Sequence, residues 1–173
     1  MEVLYKGGFV PTVFYTGAVG EATQFVLEHG EEYDCVVCIG GDGTLSETVA
    51  GLAQLGSPPP LGYIPQGTAN DVAASLGLSK NPVQAAKIIV RGRTESLDVG
   101  KFNENDYFTY IAAFGAFTEV SYETPRQYKQ TLGHLAYVLQ GMSQLQKISA
   151  YHTIVEFDEG TIEDDLIFGS VSN

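Results

Sequence analysis

The chain has 173 residues, room for one ordinary domain or one and a half small ones. Hydrophobic residues make up 44% and charged residues 17%, a globular rather than a disordered composition. Acids outnumber Lys plus Arg by 21 to 9, for a formal net charge of −12, and no basic stripe or polybasic patch is visible, which argues against nucleic-acid binding and against attraction to an anionic membrane.

The longest apolar stretch, around Ile111 to Phe117, is far too short to span a bilayer, and no charged-then-apolar signal segment opens the chain. Two cysteines imply no disulfide framework, so a cytoplasmic setting is expected. Cys35 and Cys38 form a C-x-x-C. A redox pair of that spacing opens a helix, whereas these two sit in an apolar strand, so they read as small buried apolar residues.

In chain order, Thr12 to Thr16 (TVFYT) predicts a strand, and Gly20 to His29 predicts a helix stopped by Gly30. The short apolar run at 35–39 reads as a buried strand. A helix follows from Thr44 to about Leu55, with Leu45, Val49 and Leu52 at helical spacing. The breaker GSPPP (56–60) leads to the strand Leu61 to Ile64. PQGTAND (65–71) opens a short helix ending near Gly77, and Asn81-Pro82 caps another that stops near Gly92. Strand and helix alternate, which argues for a doubly wound α/β domain over residues 1–94.

The pattern changes near Glu95. Residues 95–103 and 106–114 read as two strands joined by Asn103-Glu-Asn105. A long amphipathic helix is expected from Gln130 to Lys147, its stripe Leu132, Leu135, Leu139, Met142 and Leu145 reading as core. Two further strands, 150–158 and 161–171, turn at Asp158-Glu-Gly160. Residues 95–173 thus read as the beginning of a β-rich second domain, ending inside an apolar strand. Ile167, Phe168 and Val171 are expected to be exposed there, with poor solubility or self-association.

Two loops, 40–44 and 65–70, both follow strands, and in such sheets ligands sit beyond the strands' carboxyl ends. Gly40, Gly41, Asp42 and Gly43 make a tight strand-to-helix turn that presents bare N–H groups and a positive helix end, suited to phosphate. It is no Walker A motif, because Thr44-Leu45 rather than Lys follows Gly43. It is no G-x-G-x-x-G either, because Ser46 replaces the third glycine. Thr44 and Glu47 also fit a capping box, with Thr44 as N-cap. Asp42 repels a phosphate unless a metal ion lies between them, which suggests Mg²⁺–nucleotide; an Asx turn is the plainer alternative. In the second loop, Asn70 or Thr68 suits a helix cap and Asp71 a positive helix end.

The segments GGDGTLSETVAGL (40–52), LGYIPQGTANDVAASLGL (61–78), SLDVGKF (96–102) and GHLAYVLQGMSQL (133–145) resemble the diacylglycerol kinase catalytic domain family, which includes bacterial lipid kinases and sphingosine-type kinases. The first motif is shared with NAD kinases and phosphofructokinases; its pairing with P-x-G-T-x-N-D is more specific. The likeness runs from about Thr12 to Asn173. It implies a phosphofructokinase-like nucleotide-binding domain followed by a β-sandwich domain, ATP and Mg²⁺ as cofactors, and phosphoryl transfer to a lipid hydroxyl, diacylglycerol first, by an enzyme meeting its lipid at the membrane surface. By that resemblance Thr16, Gly41, Asp42, Gly43, Thr44, Glu47 and Thr68 bind nucleotide. Asp42, Asp71 and Asp98 match acids of a metal–water network, and no residue is assigned as a direct metal ligand.

Two family features find no match: the opening strand with its N-P-x-x-G-type loop, against Met1 to Val10, and a downstream Asp-Gly that supplies the expected general base. The chain therefore reads as a fragment of a lipid kinase, inert or nearly so by itself. An NAD-kinase-type enzyme and a nucleotide-binding protein without catalysis are the competing readings.

Overall fold

The computed structural model describes residues 1–104, 106–116 and 149–173. The expected helix over 130–147 lies outside them. The described chain falls into two compact units, Met1–Tyr110 with Asn173, and Ile111–Ser172.

The first unit is built on two parallel strands, β1 (Val36–Gly40) and β2 (Leu61–Pro65), in the register Val36↔Leu61 to Gly40↔Pro65. Alternation of side chains sends Cys38 and Tyr63 to one face. There they pack with Leu45 and Val49 of α3 (Asp42–Leu52) and Val72 and Ala73 of α4 (Asp71–Ser75). Val37 and Ile64 point the other way, to Leu4 of α1 (Glu2–Lys6) and Ala85 and Ala86 of α5 (Pro82–Val90). Gly62 has no side chain because Ile89 occupies the space; a Cβ there would stand 2.8 Å from Ile89 Cδ1. Helices thus cover both faces of the pair, and both faces are apolar, as a buried parallel pair requires.

α2 (Glu21–His29) lies along α3 rather than on the sheet. Ala22 meets Glu47, a Cβ at Gly51 would stand 2.8 Å from Val26 Cβ, and one at Gly30 would stand 2.8 Å from Leu55 Cδ1. These contacts advance along both helices together, so α2 and α3 run parallel, and both start at the edge where β1 and β2 end.

The expected strand at Thr12–Thr16 does not form; residues 9–16 are irregular. Strand propensity there finds no half-buried surface to fit. Tyr15 is 87% exposed, and Phe14 stacks on Phe25 with ring centroids 4.2 Å apart instead of entering a sheet. The expected strand at 95–103 shortens to β3 (Gly100–Phe102), which pairs antiparallel with β4 (Asp106–Phe108) after a turn with Asn103 at φ 56°. This hairpin contacts α3 and belongs to the first unit, so the compact units divide after Tyr110 and not at the change of residue pattern near Glu95.

In the second unit the expected strand at 106–114 continues as a separate strand, β5 (Ile111–Gly115), paired antiparallel with β8 (Phe168–Ser172). β6 (Tyr151–Phe157) and β7 (Gly160–Leu166) form a hairpin, so the expected strand at 161–171 is two strands broken at Ile167. Ile167, Phe168 and Val171 are exposed, as their place predicted, although β8 has β5 as a backbone partner.

α5 tests the local reading most directly. Asn81 Oδ1 accepts the N–H groups of Val83 and Gln84 at 3.0 and 3.2 Å, with Pro82 at the first helical position. Asn81→Ala is expected to cost about 1 kcal/mol, read as a lower urea midpoint with an unchanged slope.

Candidate functional site

The ends of β1 and β2 carry the two glycine-rich loops to one place. Gln66 N–H donates to Gly40 O at 2.7 Å and closes the last rung between them. Immediately beyond, Gly41 and Gly67 meet backbone to backbone: a Cβ on Gly67 would stand 2.4 Å from Gly41 Cα, and one on Gly41 would stand 3.0 Å from Gly67 Cα. The approach requires glycine at 67 and leaves a Cβ at 41 tight against the Gly67 backbone.

α3 begins at Asp42, two residues earlier than the periodicity predicted, with Gly41 as its N-cap. The capping box therefore does not form. Thr44 is already inside the first turn, and no side chain caps the helix. The first intrahelical bond is Leu45 N–H to Gly41 O, at 3.0 Å. The N–H groups of Asp42, Gly43 and Thr44 have no partner within the helix, and they carry its positive end. Gly43 is exposed, and nothing lies within 4 Å of where its Cβ would be. Glu47 stands one turn further in and serves α2: its carboxylate accepts Ala22 N–H at 3.4 Å and its carbonyl accepts Thr23 Oγ1–H at 2.9 Å.

Asp42 is a cap, but not of its own helix. Its Oδ1 accepts the N–H of Val72, in the first turn of α4, at 3.3 Å. This bond ties the first motif to the second. Asp71, exposed at the first position of α4, is the residue just before the Val72 that this bond holds. Asn70 occupies the N-cap position of α4 without capping it; its side chain bonds Gly67. Thr68 is exposed in the turn that Asn70 closes.

Two predicted residues are not drawn in. Thr16 lies exposed in the irregular segment before α2, and no hydrogen bond joins it to either loop among the described residues. Asp98 is exposed before β3, where its carbonyl accepts the Asn173 side-chain amide. Among the described residues no group of three or more His, Cys, Asp or Glu converges on a metal position. Gly67, Asn70 and Tyr63 contribute without having been singled out as site residues. Gly67 and Asn70 had a signal, a glycine three residues before an asparagine, the non-glycine residue most at ease in the left-handed region. Tyr63 had none.

Tyr63 is buried beneath the loops and its hydroxyl donates to Gly40 O at 3.3 Å. Burial pushes its phenol up to about 12, with the charge of Asp42 and then Cys38 adding to the effect. Burial likewise pushes the Cys38 thiol up to about 11, against a hydrogen bond with Thr48. Cys35 is raised by burial too, and neither sulfur is bridged. Both stay protonated at neutral pH, as small apolar residues do and a redox pair does not.

A parallel strand pair covered by helices on both sides, with two glycine-rich loops locked together past the strand ends and an uncapped helix start between them, defines an α/β protein with its loops gathered at the carboxyl ends of the strands. Residues 2–102 match the family description "Diacylglycerol kinase catalytic domain", and the chain belongs to that family. The match takes in α1, so the likeness begins earlier than Thr12. The diacylglycerol kinase of Staphylococcus epidermidis is 38% identical over 166 residues, 95% of this chain and 52% of that protein. That of Staphylococcus saprophyticus is 36% identical over 165 residues, 95% of this chain and 54% of that protein. A crystal structure from Bacillus anthracis, of a protein proposed to be a diacylglycerol kinase, superposes with TM-score 0.75 at 30% identity, covering 99% of this chain and 59% of that one. The chain spans about half the length of the curated relatives it matches.

The geometry separates two neighbouring glycines. Gly67→Ala drives a methyl into the Gly41 backbone and is expected to destabilise by about 1–3 kcal/mol. Gly43→Ala enters open space in a helical turn and is expected to stabilise by up to about 1 kcal/mol. Denaturant unfolding of the two variants reads both signs.

The Tyr63 shift has a direction in pH. The folded protein holds this proton more tightly than the unfolded chain, so the contribution is complete below the unfolded value of 10.0 and is lost as pH rises through about 12. Alkaline titration of tyrosinate absorbance is expected to show a late step that Tyr63→Phe removes.

Proposed function

We propose that the crevice binds ATP with Mg²⁺, and that the chain is the nucleotide-binding part, with a portion of the second domain, of a kinase that phosphorylates a lipid hydroxyl. Diacylglycerol, giving phosphatidic acid, is the substrate we favour. The fold subtype that goes with this reading is phosphofructokinase-like, with a β-sandwich second domain. The observation that carries it is the Gly41–Gly67 contact beside the uncapped start of α3. Together they leave backbone N–H groups open to an anion at a point no side chain fills. Family membership and diacylglycerol kinase relatives supply the reaction.

In this reading the N–H groups of Asp42, Gly43 and Thr44 hold phosphate oxygens at the positive end of α3. Thr44 and Thr68 offer hydroxyls from the two loops. Thr16, in the irregular segment ahead of α2, is proposed to complete the nucleotide contacts once nucleotide is bound. Glu47 acts one step removed, by fixing the start of α2. Asp42 and Asp71 face the phosphates, with Asp98 as the third acid of a water network. When bound, Mg²⁺ supplies neutralisation of phosphate charge and orientation for in-line transfer. The residues present fit that role: carboxylates from both loops can hold the waters of a Mg²⁺ whose remaining ligands are phosphate oxygens. The enzyme works in the cytoplasm and meets its lipid at the membrane surface.

By itself this chain is expected to transfer no phosphate. Calorimetry is expected to show Mg·ATP binding to the chain, weakened by EDTA and weakened at least about tenfold by Gly43→Ala despite its stability. A polypeptide carrying the remaining family segments is expected to move labelled phosphate from ATP to diacylglycerol in mixed micelles and not to NAD. Phosphorylation of NAD in place of lipid, or the absence of nucleotide binding, overturns the reading.

A further inference from the structure

We infer that Asn70 is the positioning residue of this crevice: its side-chain amide locks the turn from Gly67 to Asn70 against Gly41 and thereby sets where Thr68 and Asp71 stand. The lock rests on geometry; its consequence for nucleotide rests on the reading above.

Asn70 Oδ1 accepts Gly67 N–H at 2.7 Å and Asn70 Nδ2–H donates to Gly67 O at 2.7 Å. Both backbone groups of one glycine are thus held by one side chain. An amide suits this geometry because its donor and acceptor sit on separate atoms side by side. The residue is buried to 4% exposure, where an unpaired amide would be costly, so the two bonds are held rather than shared with water. Its backbone is left-handed, φ 56° and ψ 52°, a region asparagine enters more readily than other non-glycine residues. Left-handed backbone in a buried residue persists only when its surroundings hold it there.

Gly67 is consequently pinned from two sides. A Cβ on it would meet Gly41 Cα at 2.4 Å and Asn70 Oδ1 at 2.8 Å. The tip of the turn is left to Thr68 and Ala69, both exposed, with Ala69 O within 3.4 Å of Lys80 Nζ. The next residues, Asp71 and Val72, start α4 under the Asp42 bond. Releasing Gly67 therefore frees the Thr68 hydroxyl and loosens the turn that leads into α4, while the hydrophobic faces of β1 and β2 stay as they are.

The test uses two variants of the whole chain. Asn70→Gly keeps the left-handed backbone and removes both bonds; Asn70→Asp keeps the size and the acceptor and loses the donor. Amide hydrogen exchange is read at Gly67, and Mg·ATP affinity is read at a temperature where each variant is fully folded. The expected result is loss of Gly67 protection in Asn70→Gly, retained protection in Asn70→Asp, and nucleotide affinity weaker by about tenfold or more in Asn70→Gly. A side chain that merely supports the fold would lower the melting temperature and leave the affinity of the folded protein unchanged; that outcome overturns the positioning role. Equal Gly67 protection in wild type and Asn70→Gly overturns the lock itself. If the wild-type chain binds no Mg·ATP, the nucleotide reading falls, and the Gly67 exchange alone decides the lock.

Discussion

Two glycine backbones touching past the ends of two parallel strands set the terms for everything at this edge of the molecule. Gly67 leaves no room for a β-carbon against Gly41, and a β-carbon on Gly41 would be tight against Gly67. The register of β1 and β2 delivers them there, since Gly40 pairs with Pro65 and the next residue of each chain leaves the sheet. A shift of register by one residue would separate the loops and exchange one strand's side chains between the two packed faces. The apolar packing of Cys38, Tyr63, Val37 and Ile64 therefore holds the crevice as well as the fold.

Around that contact, polar side chains spend their hydrogen bonds on backbone. Asp42 caps α4 across the crevice, Glu47 caps α2 from α3, and Asn70 closes its own turn. The Asp42 and Glu47 bonds cross from one motif or helix to another and act as struts between elements, while the Asn70 bonds brace a single loop. The start of α3 is the exception, with its first turn left open while a neighbouring helix receives the nearest carboxylate. A helix start is stabilised by a negative group. An open one beside two converging glycine loops is a place where an anion gains more than water does.

The second unit contrasts with the first. In β6 and β7, Tyr151, Val155, Phe157 and Ile162 share one face and stay exposed, while His152 lies between Glu163 and Asp165 at 3.2 and 3.1 Å on the other. The alternation is that of a strand pair with a dry side and a wet side. Exposed ion pairs of this kind contribute little to stability. Among the described residues no helix is long and apolar enough to cross a membrane.

The sequence by itself determined the parts that depend on neighbours along the chain. Periodicity placed β1, β2, α2 and α5, glycine placed the helix stops at Gly30, Gly77 and Gly92, and the two spaced motifs placed the glycine-rich loops at the strand ends. It also carried the family likeness. What it left open depends on residues far apart in sequence. Thr44 and Glu47 have the spacing of a capping box, yet a helix starts where its first turn can pack, and Leu45 and Val49 pull α3 back to Asp42. Thr12 to Thr16 have strand propensity, yet no strand edge is there to receive them. Asp42 reads as a metal-facing acid or an Asx turn, and only the tertiary structure gives its carboxylate to Val72, thirty residues on. Asn70 reads as a cap, and only the approach of Gly41 to Gly67 turns its amide back on its own turn. Local chemistry writes the elements; which polar group meets which is decided when the strands bring their loops together.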